Sequence, residues 1–233
     1  MVDQLVKQDV NILFTIGGDG TMKGASDIYA AIRKRGLDIA VIGIPKTIDN
    51  DLQGVEHSFG FQTAVEASRS AITGAHNEAK AAWNCIGLVK LMGRDSGFIA
   101  AEATLANADV NFCFIPEVPV KLDGPGSFLS TLEKRLAEKH HAVIVLAEGA
   151  GARHIESGEK TKTDASGNII HADIGLYLQE RIVSHFKERN IPVNIKYIDP
   201  SYIIRSQPAN SQDSAFCLKL GQNAVHAAMT GRT

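Results

Sequence analysis

The chain has 233 residues, with 24 Lys and Arg against 26 Asp and Glu and a formal charge of −2, which excludes the basic excess of a generic nucleic-acid binder and leaves room for one large α/β domain or two small ones around a real core. No apolar run approaches the roughly 18 residues a membrane helix needs, and Met1-Val2-Asp3-Gln4 lacks a basic region followed by an apolar stretch. The three cysteines, Cys85, Cys113 and Cys217, form no CxxC pair, so the expectation is a cytoplasmic protein with reduced core thiols, no membrane partner and no nucleic-acid partner.

In chain order, Asn11 to Ile16 reads as a buried strand and Gly17-Gly18-Asp19-Gly20 as a turn. Thr21 to Arg35 reads as a helix with Ile28, Ala31 and Ile32 on one face; Gly36 is its expected stop, and Arg33-Lys34-Arg35 is a solvated helix end. Ile39 to Ile44 is a second strand, and the residues from Pro45 to Gly54 carry too many turn formers to be regular. A long helix is expected over Phe61 to Lys80 and a third strand over Ile86 to Met92, followed by the glycine turn Gly93-Arg94-Asp95-Ser96-Gly97. Helix over Ile99 to Asn107, strand over Asn111 to Ile115, helix over Phe128 to Lys139 and strand over Ala142 to Leu146 continue the alternation. The residues from Gly149 to His171 are polar without a hydrophobic period and read as an exposed insertion or hairpin. Helix from Asp173 to Glu188, strand from Val193 to Ile198 and a final helix from Ser214 to Met229 complete the chain. Strand, loop and helix in repetition predict a doubly wound α/β fold with largely parallel sheets, helices on both faces, and ligands at the carboxyl ends of strands.

Four loops follow strands. Glycines in Gly17-Gly18-Asp19-Gly20-Thr21 let backbone N–H groups approach a phosphate ahead of a helix N-terminus. Asp19 within it either meets phosphate through Mg²⁺ or is simply a helix cap in a tight turn. Pro45-Lys46-Thr47-Ile48-Asp49-Asn50-Asp51 holds two carboxylates and a lysine. If extended, the loop would put Asp49 and Asp51 on one face. One could then hold a metal while the other takes a proton from an attacking hydroxyl, as phosphoryl transfer requires, or the loop is a solvated acidic turn. In Met92-Gly93-Arg94-Asp95-Ser96-Gly97, Arg94 is a planar charged fork suited to phosphate, or the partner of Asp95 in a surface ion pair. In Ala147-Glu148-Gly149-Ala150-Gly151, Glu148 either accepts from sugar hydroxyls or is simply exposed.

Ile16-Gly17-Gly18-Asp19-Gly20-Thr21, Pro45-Lys46-Thr47-Ile48-Asp49-Asn50-Asp51, Met92-Gly93-Arg94, Pro116-Glu117-Val118 and Lys196-Tyr197-Ile198-Asp199-Pro200-Ser201-Tyr202, in this order, closely resemble phosphofructokinases. The GGDGT loop also occurs in diacylglycerol-kinase-like and NAD-kinase enzymes; the loop from Pro45 to Asp51 is far more specific. The resemblance implies a glycolytic kinase with two α/β lobes: residues 1–61 and 204–233 in a partial nucleotide-binding lobe and 62–203 in a sugar-phosphate lobe. By the same resemblance Asp49 is the general base, Asp19 and Asp51 hold Mg²⁺, Thr47 and Arg94 contact the transferred phosphoryl group, and Gly18, Gly20, Thr21 and Lys46 serve the phosphoryl donor. Met92, Gly93, Glu148, Lys196, Tyr202 and Arg205 then belong to the fructose 6-phosphate pocket, and the protein is expected to be a homo-oligomer, a dimer or a tetramer.

The sequence departs from the bacterial members of that family. Cys85 stands where they carry an arginine supplied across a subunit interface, Lys196 replaces another arginine and Tyr202 a histidine, a set similar to the pyrophosphate-type and plant- or protist-like branch. In this family glycine at Gly20 goes with ATP, because a side chain there would intrude on the α-phosphate, whereas Lys46 goes with pyrophosphate; the combination resembles the ATP-using plant and protist-like branch. The resemblance also implies a strand and a glycine-rich loop upstream of Gly17 and further elements after Thr233. The chain is therefore expected to be incomplete at both termini, and a sugar-phosphate-binding fragment without turnover is the competing expectation.

Overall fold

The computed structural model describes residues 1–151, 162–163, 169–170 and 173–233. They divide into two compact units, Met1–Thr63 with Pro208–Thr233, and Ala64–Gln207.

The first unit opens with α1 (Val2–Lys7) and β1 (Ile12–Gly17), followed by α2 (Asp19–Lys34) and β2 (Ala40–Pro45). β1 and β2 pair in parallel from Ile12 opposite Ala40 to Gly17 opposite Pro45. A parallel pair needs a crossover, and α2 is that crossover. Its Ala25, Ile28, Tyr29 and Ile32, at the spacing of one helical face, pack with Val2, Ile39 and Val41. Gly36 stops the helix as the sequence predicts: its φ of 64° lies in the left-handed region that glycine tolerates. The other side of β2 is covered by the last helix, α8 (Ser211–Met229), through Ile42, Ala224 and Ala228.

α3 (Phe61–Ala81) leads into the second unit. There β3 (Cys85–Leu91), α4 (Phe98–Leu105), β4 (Phe112–Phe114), α5 (Phe128–Lys139) and β5 (His141–Ala147) follow one another. The short strands β6 (Lys162–Thr163) and β7 (Ile169–Ile170) pair antiparallel, within the stretch expected to be an insertion or hairpin. The rest of that stretch lies outside the described residues. α6 (Ile174–Glu188), β8 (Asn194–Ile198) and the single-turn α7 (Ser201–Ile204) complete the unit. The sheet order is β4-β5-β3-β8, all parallel.

Both faces of this sheet are covered, which is why its central strands read as continuous apolar runs. On one face Ile86, Leu88, Ala142, Ile144 and Leu146 meet α5 and α6 through Leu132, Leu136, Ile182 and Phe186. Each of the Leu, Ile and Phe side chains, fully buried, contributes about 1.5–3 kcal/mol. On the other face Gly87 lies under α3; a Cβ there would stand 2.7 Å from the Ala75 carbonyl oxygen, so the helix approaches this strand only because Gly87 has no side chain. Asp173, expected as the first helical residue, is the N-cap of α6 and accepts from the amides of Gly175 and Leu176. Among the described residues no helix is long and apolar enough to cross a membrane. Cys85 is fully buried, and Cys113 and Cys217 are half-buried free thiols; burial pushes all three thiols up.

Candidate active site

In the first unit the parallel register brings two of the loops together. Gly17 stands opposite Pro45 at the carboxyl end of the strands, and Lys46 N donates to the Gly17 carbonyl at 2.6 Å. Gly18 is the N-cap of α2, and a Cβ on it would come within 3.3 Å of the Lys46 carbonyl. A Cβ on Gly17 would collide with the Thr21 side chain. The loop is thus tight for reasons of packing, and it ends at a helix N-terminus where unpaired amides favour an anion. Asp19 is the first helical residue rather than the cap; its side chain lies outside the described residues.

The loop after β2 does not have the extended geometry that would align Asp49 with Asp51. Asn50 has a φ of 55°, a left-handed conformation that Asn tolerates and that turns the chain between the two carboxylates. Asn50 is held there by its own side chain: Oδ1 accepts from Ser58 N at 2.8 Å and Ser58 Oγ at 3.0 Å, and Nδ2 donates to the Glu56 carbonyl at 3.3 Å. Thr47 Oγ1 donates to Asp51 Oδ1 at 2.8 Å and accepts from Asp49 N at 3.2 Å. Asp49 is half-buried, and Asp51 and Lys46 are exposed. Asp51 presents carboxylate oxygen at the mouth of this loop, the donor type Mg²⁺ takes when one or two protein carboxylates act with substrate phosphate.

In the second unit the third and fourth loops interlock. Gly93 has a φ of 126°, and a Cβ there would strike the Ser96 carbonyl. Gly149 lies against the Arg94 carbonyl so closely that a Cβ could not be accommodated, and its amide donates to the Gly93 carbonyl at 3.0 Å. Glu148 N donates to the Leu91 carbonyl at 2.9 Å. Met92 is buried, Arg94 and Glu148 are half-buried, and Glu117 fixes the far end of the loop by accepting from Gly97 N at 2.8 Å. Tyr202 and Arg205, both exposed, stack with the guanidinium carbon 4.3 Å from the ring centroid.

Lys196 is not brought to this group within the chain. It sits mid-strand on β8 opposite Gly87, four residues before the end of β3, about 13 Å along a strand. It also lies on the sheet face opposite its neighbour Tyr197, since side chains alternate. Sequence reasoning missed Asn50, Lys90, Asp173 and Asp199 as parts of the loop supports. An Asn flanked by two carboxylates in a turn was a readable signal for the first; the other three come together only through the pairing of β3 with β8 and the packing of α6 on them.

Two parallel sheets, each with glycine-bearing and charged loops at the carboxyl ends of its strands, define a doubly wound α/β protein of the kind that binds ligands there. The Phosphofructokinase family matches residues 1–228, and the chain belongs to that family. It is 56% identical over 239 residues to the ATP-dependent 6-phosphofructokinase of Borreliella burgdorferi, covering 100% of this chain and 53% of that protein. It is 51% identical over 234 residues to ATP-dependent 6-phosphofructokinase 7 of Arabidopsis thaliana, covering 100% and 48%. The chain spans about half the length of these curated relatives. Among solved structures, the pyrophosphate-dependent phosphofructokinase from Marinobacter aquaeolei superposes with a TM-score of 0.76 at 20% identity, over 100% of this chain and 55% of that one. The Pichia pastoris phosphofructokinase in the T-state follows with 0.73 at 18% identity, over 98% and 23%. At these identities the likeness is one of fold.

Proposed function

We propose that the protein transfers the γ-phosphoryl group of Mg-ATP to the 1-hydroxyl of fructose 6-phosphate, giving fructose 1,6-bisphosphate and ADP, the phosphofructokinase step of glycolysis. The observation that carries this reading is the register of β1 and β2, which sets the Gly17–Thr21 loop beside the Lys46–Asp51 loop. A phosphate-type loop and a carboxylate-bearing loop then act on one ligand. Asp49 takes the proton of the 1-hydroxyl as its oxygen attacks the γ-phosphorus, and the β–γ bridging oxygen leaves with ADP. Asp51 and Asp19 would hold Mg²⁺, which when bound neutralises charge on the phosphates. Gly18, Gly20, Thr21 and Lys46 would serve the donor, Thr47 and Arg94 the transferred group, and Met92, Gly93, Glu148, Tyr202 and Arg205 the sugar phosphate. Lys196, set apart on β8, would serve the site of a second copy in a homo-oligomer, a dimer or a tetramer.

ATP is supported as donor by Gly20. Nothing lies within 4 Å of a Cβ built there, and its backbone is not left-handed, so the position is open to a ligand, and in the family it resembles glycine there goes with ATP because a side chain would intrude on the α-phosphate. The names of relatives at 56%, 51% and 46% identity, each an ATP-dependent 6-phosphofructokinase, support the same donor. The exposed Lys46 favours pyrophosphate. The test is a coupled assay of fructose 1,6-bisphosphate formation with each donor. Turnover with Mg-ATP, abolished by Gly20→Asp and lowered about 10²–10⁴-fold in kcat by Asp49→Ser, is expected. Turnover with pyrophosphate and none with ATP would overturn the donor, and fructose 6-phosphate binding without turnover on either would overturn the reaction.

A further inference from the structure

Lys90 is the penultimate residue of β3, two positions before Met92, and its side chain is 12% exposed. Its ammonium donates to Asp173 Oδ2 at 2.7 Å and reaches Asp199 Oδ2 at 2.9 Å. Each carboxylate is committed elsewhere through its other oxygen. Asp173 Oδ1 caps α6, accepting from Gly175 N at 2.9 Å and Leu176 N at 3.2 Å, and also accepts from the Tyr197 hydroxyl at 2.9 Å. Asp199 Oδ1 accepts from Ser201 N at 3.1 Å and Ser201 Oγ at 2.5 Å. Ser201 is the first residue of α7, whose Ile204 is buried while Tyr202 and Arg205 face outward. One ammonium therefore ties the end of the strand that leads into Met92, Gly93 and Arg94 to the turn that presents Tyr202 and Arg205.

We propose that Lys90 is a positioning residue for sugar-phosphate recognition, holding Asp199 and with it the α7 turn in register with the loop after β3. The proposal rests on the reading of Tyr202 and Arg205 as sugar-phosphate contacts. Two carboxylates, half-buried Asp173 and the more exposed Asp199, lie within 2.9 Å of one nitrogen and face each other once that nitrogen is gone, and like charges so placed repel. Asp173 is anchored by the start of α6 and the Tyr197 ring. Asp199 sits in an exposed turn, so the repulsion moves Asp199 and the residues that follow it. Gly175 contributes by having no side chain, because a Cβ there would collide with the Tyr197 ring.

The test compares wild type, Lys90→Met, Asp199→Asn and the double variant of the active protein in steady-state kinetics with both substrates varied. Lys90→Met is expected to lower kcat/KM for fructose 6-phosphate by roughly 10²-fold, the scale of a 1 Å misplacement, and to leave the donor KM unchanged. The double variant recovers much of that loss, because one of the two facing charges is removed with the lysine. A merely structural role would depress both substrates together and show no such recovery. Equal effects on both KM values, or a Lys90→Met variant with wild-type sugar-phosphate kinetics, overturn the proposal. If Lys90→Met does not fold, Asp199→Asn alone decides: it keeps the Lys90–Asp173 pair, and an unchanged fructose 6-phosphate KM overturns the proposal. A wild type that does not bind fructose 6-phosphate overturns the functional reading and this role together; a wild type that binds it beside unaffected variants overturns this role alone.

Discussion

The Thr47 hydroxyl donates to Asp51 Oδ1 at 2.8 Å, and the same oxygen accepts the amide of Asp49 at 3.2 Å. One hydroxyl thus binds the carboxylate of Asp51 and the backbone of Asp49 in the loop after β2. A hydrogen bond to a charged group contributes about 1.5–3 kcal/mol, so Thr47→Val is expected to lower kcat by roughly 10–10²-fold, with Thr47→Ser near wild type. Single-turnover measurements of fructose 1,6-bisphosphate formation check this. Equal rates for the valine and serine variants would remove the hydroxyl from the argument.

Gly149 and Gly74 make an opposed pair. A Cβ at Gly149 collides with the Arg94 carbonyl, whereas one at Gly74, in the interior of α3, meets nothing within 4 Å. Gly149→Ala should destabilise by about 1–3 kcal/mol through forced backbone displacement and should reduce activity, since Arg94 moves with it. Gly74→Ala should stabilise by about 0.5–1 kcal/mol. Urea unfolding of the two variants reads both signs.

Asp213 is 1% exposed, and its Oδ2 accepts from Thr63 N at 2.8 Å and Thr63 Oγ1 at 2.5 Å. Asn210, the N-cap of α8, closes the cluster by donating its amide to Thr63 Oγ1 at 3.1 Å and accepting from Asp213 N at 2.9 Å. Asp213→Ala leaves buried donors without acceptors, at about 1–3 kcal/mol for each group. The exposed Asp3–Arg35 pair, at 2.7 Å but with Asp3 86% exposed, should respond to Asp3→Ala by no more than about 1 kcal/mol. Chemical denaturation curves that reversed this ranking would contradict the burial argument.

The Lys90 cluster sets a pH dependence. Burial would raise the carboxyl groups of Asp173 and Asp199, but Lys90 and Tyr197 beside the first, and Ser201 and Lys90 beside the second, outweigh it and hold both below the usual carboxylate range. Burial would lower Lys90, but bonds to Asp173, Asp199 and Tyr197 hold it above the usual lysine range. Burial and the adjacent Asp173 push the Tyr197 phenol up to about 12, so it stays a donor at neutral pH. A depressed carboxyl stabilises the fold above its unfolded value near about pH 4 and loses that contribution as pH falls through the folded value. A raised lysine contributes fully below about pH 10 and loses its contribution as pH rises through the folded value. The stability difference between wild type and Lys90→Met should therefore be flat from about pH 5 to 9 and shrink below about pH 4. Thermal melts across that range test it, and a difference that changes between pH 6 and 8 would point to another titrating group.

The alternation of apolar strands with amphipathic helices was legible because each element carries its own period: Ile28, Ala31 and Ile32 mark one face of α2, and Ala142 to Leu146 form an uninterrupted buried run. The loops carrying Gly17 to Thr21, Lys46 to Asp51 and Met92 to Arg94 were legible too, since glycines and charges after a strand depend on local chain geometry. Their conformations were not. Only the folded chain shows that Asn50 turns left-handed between Asp49 and Asp51, because the bonds that hold it come from Ser58 and Glu56. The mid-strand position of Lys196 opposite Gly87 follows from strand register, and the meeting of Lys90 with Asp173 and Asp199, 83 and 109 positions later in the chain, from the pairing of β3 with β8 and the packing of α6 against them. Periodicity reports which face of an element is apolar. Which elements become neighbours, and which charges they bring within reach of one another, is decided by the sheet.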